Sequence, residues 1–355
     1  MPSRSPQSKC LIAAGGTAGH VLPSLAVAEA LTARGVAVTF AGSPDRGEAG
    51  LVPYPFDAFP VEGIPRTLSL RLPRALLRAA LAPLACLRIL RRRRPDVVLG
   101  AGGYAAGPMV LAAALLRIPA ALTEADAHLG LANRLAAPFA RRVFLAFPIE
   151  GRAGPKYRVV GRPIPARSQP VDRAEARRRF GLPADGPVVL VFGGSQGARA
   201  LNEATLEAFA AEGPGVLHLC GERDYATIAP RAAREGYRLL PFTDDFGAAL
   251  SAADLVVARS GGSVWEVAAA GKPALLVPYP HATADHQTKN ARHFERGGGA
   301  LVAAEAELDL RRRVEELLAD PARLATMGEA MLALARPDAA DAVAEELIAL
   351  AAARE

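Results

Sequence analysis

Short, near-continuously apolar runs recur along this chain, each followed by small residues and then by a segment with helical spacing. Cys10–Ala14, Val36–Ala41, Asp96–Leu99, Pro119–Thr123 and Arg142–Ala146 are such runs in the first half. Val188–Phe192, Val216–Cys220, Arg238–Leu240, Leu255–Ala258 and Pro273–Val277 follow in the second. Runs without polar alternation are the pattern of strands covered on both faces in a parallel sheet. Pro23–Ala33, Asp172–Arg179, Ala198–Ala210, Val264–Ala270, Asp309–Leu318 and Ala339–Ala353 carry helical spacing. Strand, small-residue turn, helix and strand again predict an α/β chain of two doubly wound, Rossmann-like halves.

A length of 355 residues exceeds one ordinary core, and a 51% hydrophobic composition suffices for two. Val159–Pro165, with two prolines, reads as the boundary. The expected division is 1–162, 163–335 and a C-terminal helical segment, 336–355.

The turns between strands and helices carry the chemistry. Gly15-Gly16-Thr17-Ala18-Gly19-His20 follows the first strand, and Gly100 to Pro108 follows the third. Gly193-Gly194-Ser195-Gln196-Gly197 and Ser260-Gly261-Gly262-Ser263 occupy equivalent places in the second half. Small-residue turns let a ligand approach the backbone, and a helix start presents free N–H groups to an anion such as phosphate. The dinucleotide fingerprint is absent: the glycine spacing differs, and the second strand ends Phe40-Ala41-Gly42-Ser43 without an acid. No phosphate-loop GK[ST] occurs. His20 stands where turn becomes helix, with an imidazole suited to taking a proton from a hydroxyl, although a packed structural histidine fits the same position. Glu266 opens a helix and could accept from two vicinal hydroxyls of a ribose, or serve only as a helix-start charge. His286, Gln287 and Asn290 form a polar cluster beyond the next strand.

A net charge of +6 suits an anionic partner. With aromatics at 5% and no basic-aromatic alternation, nucleic-acid stacking is unsupported. Three dispersed cysteines, Cys10, Cys86 and Cys220, give neither a disulfide framework nor a metal pair and suit a reducing compartment. The N-terminal apolar run is cut by Gly15 and Gly16, unlike a signal peptide, and no stretch approaches the roughly 20 apolar residues of a spanning helix. From Pro65 to Arg94, leucines alternate with Arg66, Arg71, Arg74, Arg78 and Arg88 and end at Arg91–Arg94. Such a segment can lie on an anionic bilayer or present a solvated arginine face. Pro73 and Pro83 are expected to break it into short pieces.

Taken together, the motifs resemble the MurG family of bacterial glycosyltransferases. The matching segments are Gly15 to His20 with Pro23, Gly102-Gly103-Tyr104 with Gly107-Pro108, Gly193 to Gly197 with Asn202, Arg259-Ser260-Gly261, Glu266, and His286-Gln287 with Asn290. The resemblance implies a GT-B fold, two Rossmann-like domains facing a central cleft, with the C-terminal helix packed on the first. It implies an inverting enzyme that moves N-acetylglucosamine from UDP-N-acetylglucosamine to the muramyl 4-hydroxyl of a lipid-linked muramyl-pentapeptide, in peptidoglycan synthesis. The donor would be held by Ser195, Gln196, Thr243, Ser260, Gly261, Glu266, Gln287 and Asn290. The acceptor diphosphate would lie against Gly15, Gly16, Thr17, Ala18, Gly19, Gly102, Gly103 and Tyr104, with Asp126 and Arg162 near it. His20 would be the base and Glu124 the reserve.

The family usually has glycine where Ala18 stands, and His-Glu-Gln-Asn where Thr123-Glu124-Ala125-Asp126 stands. Pro165 replaces an arginine, leaving Arg162 or Arg167 to supply that charge, and Gly261 to Glu266 is one residue short. No Asp-x-Asp motif appears, and metal independence without a cofactor is expected. The implied setting is the cytoplasmic face of the cell membrane, bound peripherally, with other cell-wall enzymes as possible neighbours. Three alternatives stay open: a GT-B transferase with another acceptor, a UDP-sugar epimerase, and a non-catalytic nucleotide-sugar binder or scaffold for cell-wall enzymes.

Overall fold

A computed structural model describes residues 8–15, 18–43, 52–61, 72–194 and 197–353. The chain divides into two compact units, residues 1–165 with 337–355, and residues 166–336.

The first unit contains seven parallel strands: β1 (Lys9–Ala13), β2 (Ala37–Gly42), β3 (Phe56–Ala58), β4 (Val97–Gly100), β5 (Ala120–Glu124), β6 (Arg142–Leu145) and β7 (Tyr157–Val159). Their order is β3-β2-β1-β4-β5-β6-β7. The helices are α1 (Ala18–Ala33), α2 (Leu72–Arg93), α3 (Gly103–Leu115) and α4 (Leu131–Ala136). Strand β1 shows why these runs lack alternation. Leu11 and Ala13 enter the core beneath α2 and α3, while Cys10 and Ile12 enter the core beneath α1. Both faces are dry from Cys10 to Ala13, so each of those positions is apolar.

Two proline expectations are corrected. Helix α1 begins at Ala18 rather than Pro23, with Pro23 inside it. Helix α2 runs unbroken from Leu72 to Arg93 through Pro83. Pro73 is its second residue, where the amide needs no partner. Pro83 costs about 3 kcal/mol in an isolated helix. Burial of Ala82, Cys86, Ile89 and Leu90 in the core outweighs it. Arg66 and Arg71, the first arginines of the basic segment, lie outside the described residues.

The second unit has six parallel strands: β8 (Val188–Phe192), β9 (Gly215–Leu219), β10 (Tyr237–Leu240), β11 (Leu255–Ala258), β12 (Ala274–Leu276) and β13 (Ala300–Val302). Their order is β10-β9-β8-β11-β12-β13. Around them lie α5 (Arg173–Phe180), α6 (Arg199–Phe209), α7 (Glu222–Ile228), α8 (Phe246–Ala252), α9 (Val264–Ala269), α10 (His286–Arg296), α11 (Leu310–Leu318) and α12 (Pro321–Leu334). Asp172, Asp245, Asp309 and Asp320 cap four of them, each side chain accepting a backbone N–H of the first turn.

The last helix, α13 (Ala339–Ala352), belongs to the first unit, where Val343, Ala344 and Leu347 pack with α1 and the sheet. Strand β7 extends the first sheet, and the chain leaves that unit after Pro165, at the end of the Val159–Pro165 segment. Among the described residues no helix is long and apolar enough to cross a membrane.

Candidate functional site

Strand order reverses between β1 and β4 in the first unit and between β8 and β11 in the second. Open parallel sheets bind ligands beyond the carboxyl ends of the strands at such switch points. The glycine turns flank them: Gly15 and Gly102 end β1 and β4, while Gly193 and Gly261 end β8 and β11.

In the first unit the two turns interlock. Gly103 has φ +68°, and a Cβ there would stand 1.7 Å from the Gly15 carbonyl oxygen. Gly102 has φ +92°, and its Cβ would stand 2.6 Å from His20 Nδ1. Glycine is required at both positions by contact and by backbone. Tyr104 packs its ring against the core. Gly16 and Thr17 lie outside the described residues, and Ala18 and Gly19 open α1.

His20 is half-buried in the first turn of α1. It lines a small cavity of about 20 Å³ with Ser24, Leu99, Glu124, Phe144 and Arg162. Burial lowers the imidazole pKa below its usual value, Arg162 lowers it further, and Asp126 opposes them. The ring is therefore neutral near pH 7, the form able to accept a proton. Arg162 is buried at 8% exposure.

Glu124, expected as a reserve base, has a different commitment. Its Oε2 accepts from Gly130 N and Asn133 Nδ2, both at 2.9 Å, and Oε1 accepts from Asp126 N at 3.3 Å. Burial pushes its carboxyl above the usual range, and these donors pull it back. The geometry is that of a group holding the 126–133 loop.

In the second unit Ser195 and Gln196 lie outside the described residues. Beside them Gly197, at φ +70°, would place a Cβ 2.2 Å from the Cys220 carbonyl oxygen. Asn202 Nδ2 donates to that oxygen at 2.9 Å, and Asn202 Oδ1 meets His218 Nε2 at 3.0 Å. Tyr237 Oη lies 2.8 Å from His218 Nδ1. Since an amide oxygen only accepts, Nε2 carries the His218 proton and Tyr237 donates to Nδ1. Burial lowers this imidazole to about 4, so it is a neutral structural link.

A Cβ at Gly261 would meet nothing within 4 Å. The packing therefore does not demand glycine there, and space beside the backbone stays open. Ser260, by contrast, is wholly buried; its hydroxyl donates to the Gln287 carbonyl at 2.8 Å. Asn290, also wholly buried, donates to the Ser260 carbonyl at 3.0 Å. These two residues, expected on the ligand, instead tie the turn to α10. Gln287 Oε1 accepts from Tyr279 N at 2.9 Å, and its amide nitrogen makes no hydrogen bond among the described residues. Arg259 donates to Val277 and Pro278 carbonyls, pairs with Glu305 and stacks on Tyr279. Thr243 Oγ1 accepts from Asp245 N at 3.1 Å at the end of β10, beside exposed Phe242.

Glu266 stands in the first turn of α9, half-buried. Its Oε1 accepts from Ser168 Oγ at 2.5 Å. Nothing in the sequence signals this partner, 98 positions away. Of the two arginines expected to replace a family arginine, Arg162 lines the His20 cavity, and Arg167 pairs with Asp244 in the second unit.

The family models for the glycosyltransferase family 28 N-terminal and C-terminal domains match residues 10–145 and 188–343. The UDP-N-acetylglucosamine–N-acetylmuramyl-(pentapeptide) pyrophosphoryl-undecaprenol N-acetylglucosamine transferase of Halorhodospira halophila is 44% identical, over 94% of this chain and 96% of that protein. The crystal structure of Acinetobacter baumannii MurG superposes with a TM-score of 0.76 at 31% identity, covering 97% of this chain and all of that one. A UDP-GlcNAc 2-epimerase from Neisseria meningitidis, at 14% identity and TM-score 0.67 over 96% of this chain and all of that one, shares the fold alone.

Proposed function

The chain belongs to the MurG family of glycosyltransferases, and from that premise we propose that it transfers N-acetylglucosamine from UDP-N-acetylglucosamine to the muramyl 4-hydroxyl of a lipid-linked diphosphoryl-muramyl-pentapeptide. The observation that carries the reading is the recurrence, in both units, of paired glycine turns across the strand-order switch.

In the second unit, Glu266 takes the ribose hydroxyls, the main chain at Phe242 and Thr243 the uracil, and the Gln287 amide nitrogen a sugar hydroxyl. Ser195 and Gln196, with their glycine neighbours, take the diphosphate. Gly261 gives the donor close approach to the backbone. Ser260 and Asn290 act indirectly, by holding that turn.

In the first unit, the turns at Gly15–Gly19 and Gly102–Tyr104 take the acceptor diphosphate, and neutral His20 takes the proton of the attacking hydroxyl. Direct attack on the anomeric carbon inverts it, turning an α-linked donor into a β-linked product. UDP leaves as a stabilised anion, so no acid need protonate it. Asp126 offers the imidazolium a countercharge, while burial and then Arg162 keep the resting ring unprotonated.

Helix α2 presents Leu81, Leu84, Arg88 and Arg91 to solvent on one face. Exposed leucines beside arginines suit an anionic bilayer, which supports a peripheral place on the cytoplasmic membrane face where a lipid-linked acceptor lies.

Transfer of radiolabel from UDP-N-acetylglucosamine to a lipid-linked muramyl acceptor tests the reading. No transfer to that acceptor would refute it, and 2-epimerisation without acceptor would favour the epimerase.

A further inference from the structure

Ser168 is 2% exposed and gives its single proton to Glu266 Oε1 at 2.5 Å. It ends the tight turn Ala166–Ser168, and the chain after it is clamped to α8. A Cβ at Gly247 would stand 2.0 Å from the Gln169 carbonyl oxygen. Val171 N donates to Ser251 Oγ at 2.9 Å, which itself donates to the Gly247 carbonyl at 2.8 Å. Arg167, one residue earlier, reaches Asp244 at 3.4 Å in the loop between β10 and α8. The hydroxyl is thus presented from a fixed backbone, whereas Glu266 is half-buried on a side chain with three rotors.

We propose that Ser168 is a positioning residue that sets the donor site's selectivity for ribose through Glu266. This rests on the reading of Glu266 as the ribose-binding group. A carboxylate has about four lone-pair sites. Ser168 fills one on Oε1 and leaves Oε2, with the other site on Oε1, for two vicinal hydroxyls. Fixing the carboxylate beforehand removes the ordering cost from donor binding. It also makes a missing hydroxyl expensive, because a site built to bond one leaves its own group unpaired against an analogue without it. Bound nucleotides lacking the 2′-hydroxyl are therefore disfavoured in proportion to how firmly Glu266 is held.

The test compares kcat/KM for UDP-N-acetylglucosamine with that for its 2′-deoxyuridine analogue, the ratio being taken within each variant so that any loss of folded protein cancels. Wild type should prefer ribose. Ser168→Ala should cut the preference on the order of fivefold, through KM for the ribose donor with kcat retained, the loss of one charge-assisted hydrogen bond. Glu266→Ala should abolish the preference, and adding Ser168→Ala to it should change nothing further. If Glu266→Ala abolishes the preference and Ser168→Ala leaves it intact, or weakens both donors equally, the Ser168 proposal falls alone. If Glu266→Ala leaves the preference at its wild-type value, the ribose reading falls and this proposal with it.

Discussion

The α-carbon of Gly102 lies against the imidazole of His20, so close that a Cβ would stand 2.6 Å from Nδ1. The end of β4 therefore forms one wall of the histidine's position, and the second glycine turn serves the ring as well as any phosphate. Gly102→Ala would force the ring aside in a backbone already at φ +92°. Turnover should fall about 10²-fold, as expected for a reacting group displaced by about an ångström. UDP affinity by calorimetry should remain within about twofold; full turnover would show that the ring does not need this place.

His20→Ala should cost on the order of 10²–10⁴ in turnover with UDP binding retained. The pH profile carries a signed test. Burial and Arg162 lower the His20 pKa, so the acid limb should lie below the ordinary histidine range. Arg162→Gln should move that limb to higher pH, because it removes a repelling charge, and Asp126→Asn should move it lower. Shifts of the same sign in both variants would exclude His20 as the titrating base.

Much of the fold is legible in the order of residues alone, because buried parallel strands are apolar at most positions and glycine turns punctuate them. What escapes such a reading has weak local signals. Strands β3 and β7 are three residues each at the sheet edges. Pro83 reads as a break because its helix is held by distant packing, which local preference does not report. In the site, the turns are visible as spacing, but Ser260 and Asn290 look the same as ligand-facing groups until burial separates them. Ser168 carries no signal because only the fold brings it to Glu266.

Glu124→Ala should unfold the 126–133 loop from its anchor and leave the amides of Gly130 and Asp126 unsatisfied. The expected loss is on the order of 2–4 kcal/mol of stability, read in denaturant titration. An unchanged midpoint with lost turnover would return Glu124 to a direct chemical role.

The arginines closing α2 divide into two groups. Arg92 and Arg93 both bond Asp57, at 2.6 Å and 2.7 Å, and Asp57 is buried at 7% exposure. Arg88 and Arg91 face solvent. Glutamine at 88 and 91 should reduce sedimentation with anionic vesicles and leave the melting temperature unchanged. Glutamine at 92 and 93 should lower the melting temperature by stranding Asp57. Its carboxyl is held below the usual aspartate value, first by Arg93, so this contribution is present above the unfolded pKa and fades as pH falls through the folded one. Equal vesicle binding by wild type and the 88/91 variant would leave that face without a membrane role.

Turnover should be unchanged by chelator, measured with the same radiolabel transfer; loss on chelation and return with a divalent ion would assign a metal to the reaction.

Helix α13 has a consequence for how the protein is made. Val343, Ala344 and Leu347 seal a core whose other walls are α1 and the first sheet, and Val343 also borders the cavity at His20. During synthesis the first unit emerges long before the piece that closes it, and the whole second unit is translated in between. The nascent amino-terminal sheet therefore has only α1 on that flank until then, and the His20 cavity gains its Val343 wall only when α13 has emerged from the ribosome.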